Sequence, residues 1–185
     1  MIEIRWHGRG GQGAWTASNI LAMAAIKEGK HIQSFPAFGP ERMGAPIVAF
    51  TRISEEPIEV HSGIYTPDIV VILDPTLLAN VPVTEGLKEN GKIVVNWGES
   101  REELLKLLGA NKKYRIYAVP ATEIAVRVLG RGITNTAMIG ALIKAEPLVS
   151  LDNVFETIGE RFKGEIAEKN IQVVREAYEK TEVVE

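Results

Sequence analysis

The chain has 185 residues, 45% of them apolar and 24% charged, a net charge of −3 and a pI near 5.7. That is the balance of one soluble globular domain; no apolar run nears the ~18 residues of a membrane helix, and nothing in the charge favours nucleic acid. The absence of cysteine excludes disulfides, a thiolate nucleophile and any iron–sulfur cluster ligated by this chain.

Strand and helix patterns then alternate, which predicts an α/β fold with a mainly parallel, Rossmann-like sheet. "IEIRW" (2–6) reads as the first strand and 14–28 as a helix, with Ala14, Ala17, Leu21 and Ala24 on one face. "HIQSF" (31–35) is a second short strand. "PIVAFTRIS" (46–54) and "EPIEVH" (56–61) flank a short polar turn and read as an antiparallel hairpin inserted in the sheet. "DIVVILD" (68–74) and "KIVVNW" (92–97) have the continuous apolar character of central strands buried on both faces.

Ser100 and Glu103 form a capping box for the helix that Gly109 closes. "YRIYAVPA" (114–121) reads as the last strand. From Thr122 onward the pattern is helical, with Ala167, Ile171, Val174 and Tyr178 on one face, and residues 181–185 are expected to fray. No repeat or linker divides the chain, so 1–185 reads as a single domain. The start, "MIEIRW", lacks the layout of a secretory signal, which points to the cytoplasm.

Three stretches carry the chemistry. Gly8, Gly10, Gly11 and Gly13 fall between the first strand and the first helix. Glycines there let the backbone turn tightly and approach an anion, and the helix N-terminus favours phosphate. A dinucleotide site also wants an acid at the end of the second strand, where Gln33 and Ser34 stand. Phosphate of another ligand, contact with another chain, or a turn that binds nothing remain as readings. "FPAFGPERMGAP" (35–46) is a proline- and glycine-rich connection that exposes apolar groups, so it is functional, interfacial or folded back on the core. In "GITNTAMIGA" (132–141), Asn135 or Thr136 caps a helix or faces the same cleft as the glycines.

Asp74, before Pro75, reads as a cap at the end of a central strand. His7, His31 and His61 stand singly, so no metal site is expected. No Ser-His-Asp set, nucleophile elbow or lysine P-loop appears, and no residue is assigned a catalytic role.

The order "HGRGGQG", "AAIKEG", "FPAFGPERMGAP", "PDIVVILDP", "GITNTAMIGA" resembles the gamma subunits of the 2-oxoacid:ferredoxin oxidoreductases, most nearly those of the pyruvate and 2-ketoisovalerate enzymes. The resemblance spans essentially the whole chain. Ala45 stands where a second glycine is often found.

This resemblance implies a subunit that is inactive alone, within an enzyme that converts a 2-oxoacid, coenzyme A and oxidised ferredoxin to acyl-CoA, carbon dioxide and reduced ferredoxin. Alpha, beta and delta subunits would be its partners and carry the thiamine diphosphate and iron–sulfur clusters, ferredoxin would accept the electrons, and this chain would hold no cofactor by itself. Gly8, Arg9, Gly10, Gly11, Gln12 and Gly13, with Asn135 and Thr136, would face coenzyme A; Phe38, Glu41, Arg42 and Met43 would lie at a subunit interface. The rival readings are a free-standing NAD- or FAD-binding oxidoreductase and a structural adaptor with an empty glycine loop.

Overall fold

Apolar side chains alternate between two faces along the central strands, and each face is covered by a separate core. The computed structural model describes residues 1–37, 42–109 and 113–185; Phe38 and Glu41 lie outside them. In chain order the elements are β1 (Ile2–Arg9), α1 (Ala14–Ile26), β2 (His31–Pro36), β3 (Pro46–Ser54), β4 (Ile69–Ile72), a 3-10 turn (Pro75–Ala79) and β5 (Lys92–Asn96). There follow α2 (Arg101–Leu108), β6 (Arg115–Val119), α3 (Ala121–Leu129), α4 (Asn135–Ala145), α5 (Leu151–Arg161), α6 (Gly164–Lys180) and β7 (Glu182–Val183).

The seven strands form one sheet in the order β2-β3-β1-β4-β5-β6-β7. β1, β4, β5 and β6 are mutually parallel, β3 is antiparallel to both β1 and β2, and β7 is antiparallel to β6. Ile4, Trp6, Val71 and Val94 pack on one side against α1, α4 and their neighbouring helices. Val70, Ile72, Ile93 and Val95 face the other core, under the 3-10 turn and α2. The mainly parallel α/β sheet expected from the sequence is thus present.

α4 explains much of the stability of the first core. Ten of its eleven residues are buried, so it is apolar almost all round, as a helix enclosed by protein should be. A Cβ at Gly140 would run into the carbonyl of Val174 on α6, and only glycine permits that approach. Among the described residues no helix is long and apolar enough to cross a membrane.

Several local expectations need correction. β1 runs on through Gly8 and Arg9, whose partners on β3 are Ile47 and Pro46. The 46–61 hairpin is absent: β3 forms, but 56–61 is not a strand. β3 already has β2 on one side and β1 on the other, so no free edge remains for a further arm. Its true antiparallel partner in sequence is β2, through the connection 37–45. β6 is not the last strand, and 181–185 does not fray. β7 pairs with β6, the Ile116 N–H donates to the Glu185 carbonyl at 2.7 Å, and Val184 is buried.

Candidate functional site

The chain leaves β1 toward one face of the sheet, through α1, and leaves β4 toward the other, through the 3-10 turn. The carboxyl ends of β1 and β4 therefore border a crevice at a topological switch point, where open α/β sheets take ligands. Arg9, Gln12, Asp74 and Thr76 meet there.

The Gln12 Oε1 accepts the Arg9 backbone N–H at 2.7 Å, and its Nε2 donates to Asp74 Oδ2 at 2.6 Å. The Arg9 Nε lies 3.3 Å from Asp74 Oδ2, while its Nη2 donates to Thr76 Oγ1 at 2.9 Å and its Nη1 to the Gly44 carbonyl at 3.1 Å. Asp74 caps the 3-10 turn, accepting from the Thr76 amide at 2.9 Å. Partial burial is the largest influence on its carboxyl and pushes the pKa up. Hydrogen bonds from Thr76 and Gln12, with the Arg9 charge, outweigh it and hold the group below its usual value.

The glycines serve the chain's own packing. The Gly10 N–H donates to the Ala45 carbonyl at 2.8 Å, the Gly44 N–H donates back to Gly10 at 3.1 Å, and Gly10 bridges Met43. A Cβ at Gly10 would meet the Arg42 carbonyl, and one at Gly11 the Met43 sulfur. Residues 42–45 thus lie as a strap across Gly10 and Gly11. Gly13 has φ +79° and precedes α1, whose first turn has no acidic residue and no side-chain cap. Its orphan amides keep the anion preference of a helix N-terminus.

α4 reaches the same crevice. The Leu73 carbonyl at the end of β4 accepts from Asn96 Nδ2 at 2.9 Å and from Thr134 Oγ1 at 3.3 Å, which fixes the start of α4. Asn135 is only 7% exposed; its Nδ2 lies 2.6 Å from where a Cβ on Gly13 would sit. Thr134 holds the N-cap position of α4 without a side-chain cap bond; the Asn135 Oδ1 accepts the first-turn amide of Thr136 at 2.9 Å, and Thr136 caps nothing. The expectation for Thr136 is corrected: it is fully buried and its hydroxyl donates to Asn170 Oδ1 on α6 at 2.9 Å. The apolar pattern of α4 turns that position inward.

Of the interface candidates, Arg42 is exposed beside the glycine loop and Met43 is 86% exposed. Trp15, in the first turn of α1, is 51% exposed. Sequence reasoning missed Thr76 and the Arg9–Asp74 pair. An acid followed by Pro-Thr at a strand end marks the cap, but nothing local marks the distant arginine. His7, one strand position before the loop, is buried and accepts from Arg5 Nε at 3.0 Å. Burial first, and then the Arg5 charge, lower its pKa to about 3. Among the described residues no three His, Asp or Glu side chains gather as metal ligands.

The family model for pyruvate ferredoxin/flavodoxin oxidoreductase matches residues 3–180. The chain belongs to that family. Within it, the chain is 55% identical over 185 residues to the "Pyruvate/ketoisovalerate oxidoreductases common subunit gamma" of Pyrococcus furiosus, covering 100% of both chains. It is 48% identical over 180 residues to the "Pyruvate synthase subunit PorC" of Methanothermobacter marburgensis, covering 97% of each. The crystal structure of pyruvate oxidoreductase subunit PORC from Thermotoga maritima superposes with a TM-score of 0.88 at 40% identity, over 100% of this chain and 98% of that one. The family assignment drawn from the glycine loop and the "GPERMGAP" stretch therefore stands, and so does the α/β fold.

Proposed function

We infer that this chain is the gamma subunit of a pyruvate or 2-ketoisovalerate:ferredoxin oxidoreductase of the cytoplasm, inactive alone and assembled with alpha, beta and delta subunits. The observation that carries this reading is the end-to-end match, at 55% identity, to a common gamma subunit of that name. A chain without cysteine suits a division of labour in which partners carry the iron–sulfur clusters and thiamine diphosphate and pass electrons to ferredoxin. Exposed Met43 and Trp15 flank the glycine loop, and both are residue types enriched in interface cores.

In the assembled enzyme the crevice contributes to the coenzyme A site. The support is chemical: the uncapped amides of α1, the Nδ2 of Asn135 and the guanidinium of Arg9 surround one end of the crevice, and coenzyme A carries phosphates. The contact falls to Gly13 and Asn135, since the strap 42–45 covers Gly10 and Gly11. That same strap favours a second reading, in which the chain is an assembly adaptor whose glycine loop holds only its own backbone.

Asn135→Ala in the reconstituted complex separates the two. A raised KM for coenzyme A with the oxoacid KM unchanged supports the ligand role. Unchanged values for both leave the adaptor. A dinucleotide is disfavoured because Gln33 is already engaged, donating to the Val60 carbonyl and accepting from Arg52.

A further inference from the structure

After Lys92, β5 is apolar until its last residue, Asn96. Ile93 and Val95 face one core and Val94 the other, and the alternation carries Asn96 to the α3–α4 side, where it is 3% exposed. A buried amide is costly unless its polar groups are paired, and here they are. Nδ2 donates to the Leu73 carbonyl at 2.9 Å and to Thr122 Oγ1 at 2.8 Å, while Oδ1 accepts the Thr122 amide at 3.2 Å. That last bond caps α3 from a neighbouring strand, because the N-cap of α3 is Pro120, which makes no side-chain bond.

Leu73 lies one residue past the end of β4 and joins several elements. Its amide donates to the His7 carbonyl of β1 at 2.8 Å, and its carbonyl accepts from both Asn96 and Thr134. Two crevice residues follow directly in the chain: Asp74 comes after Leu73, and Asn135 after Thr134. The Asn135 Oδ1 is spent on the Thr136 amide, and its Nδ2 meets no acceptor among the described residues. Asn96 bonds to neither Asp74 nor Asn135, so any influence on them passes through Leu73.

We propose that Asn96 is a positioning residue for coenzyme A binding: through the Leu73 carbonyl it fixes the start of α4, and so the place of the Asn135 Nδ2. This rests on the reading that the crevice contributes to the coenzyme A site. Without the Asn96 amide, Thr134 alone holds that carbonyl, through the longer of the two bonds. A displacement of roughly 0.5 Å takes a binding group out of productive geometry.

In the complete reconstituted enzyme, Asn96→Ala should raise the KM for coenzyme A about three- to tenfold and leave kcat and the oxoacid KM unchanged. Added to Asn135→Ala it should raise that KM no further, since it acts through the same group. Thr122→Val cuts only the α3 arm, so it should lower the melting temperature of the chain without moving the KM. A merely structural Asn96 would behave as Thr122 does. An unchanged KM for Asn96→Ala, where Asn135→Ala does raise it, overturns the proposal and leaves the crevice reading standing. Fully additive effects in the double variant also overturn it. If Asn135→Ala raises nothing, the crevice reading falls and the proposal falls with it. If Asn96→Ala does not assemble, Asn96→Ser, whose hydroxyl is too short to reach Leu73, decides by the same KM values.

Discussion

The amide of Gly10 donates to the carbonyl of Ala45 at 2.8 Å, so the backbone nearest the glycine loop is the chain's own. The glycine pattern answers first to this strap. A bulky residue at Gly10 tests folding before it tests any ligand.

Gly10→Ala places a methyl against the Arg42 carbonyl, which has no flexible end to yield. The expected loss is about 1–3 kcal/mol of stability, read from chemical denaturation of the full chain. A stability equal to the parent's would show that the strap does not hold this position.

Gly140→Ala is expected to force α4 and α6 apart at Val174 and to cost a comparable ~1–3 kcal/mol. The same change at Gly159, which has nothing within 4 Å and lies inside α5, should stabilise by about 0.5–1 kcal/mol instead. Opposite signs from one substitution separate steric closeness from backbone entropy, and thermal melts of the two variants read them.

His7 gives the stability a pH dependence of known sign. Its folded pKa, about 3, lies below the unfolded value near 6.5, so the unfolded chain binds the proton first as pH falls. This contribution is fully present above about pH 6.5 and is lost progressively toward about pH 3, at up to about 1.4 kcal/mol per pH unit. His7→Gln should flatten the pH profile of the denaturation midpoint over that window. An unchanged slope would mean that His7 does not titrate as its burial dictates.

Arg9 and Asp74 tie the ends of β1 and β4 together, half-shielded from water. A double-mutant cycle with Arg9→Met and Asp74→Asn should give a coupling of about 1 kcal/mol that shrinks with added salt. Additive effects would show that Gln12 and Thr76 hold the crevice without the ion pair.

Deleting residues 182–185 removes the Glu185–Ile116 and Val184–Ile116 bonds and the buried Val184 side chain. A loss of roughly 2–3 kcal/mol is expected. An unshifted melting temperature would show that β7 contributes nothing to the fold.

The sequence by itself determined what repeats or acts locally. The apolar runs of β4 and β5, the alanine face of α1, the Ser100 cap with its Gly109 stop, and the turn role of Asp74 all depend on neighbours a few residues away. The glycine and proline stretches together also marked the family. Only the tertiary structure decided what the marked residues touch. β3 lies between β2 and β1 instead of folding against 56–61, and β7 exists only because β6 offers it an edge. Arg42–Ala45 fill the space beside Gly10, Asn135 closes on Gly13, and Thr136 turns away to Asn170. A glycine announces that its backbone has room or unusual torsion, and a polar residue that it wants a partner. Which atom arrives is fixed by contacts between residues tens of positions apart, and local sequence carries no record of those.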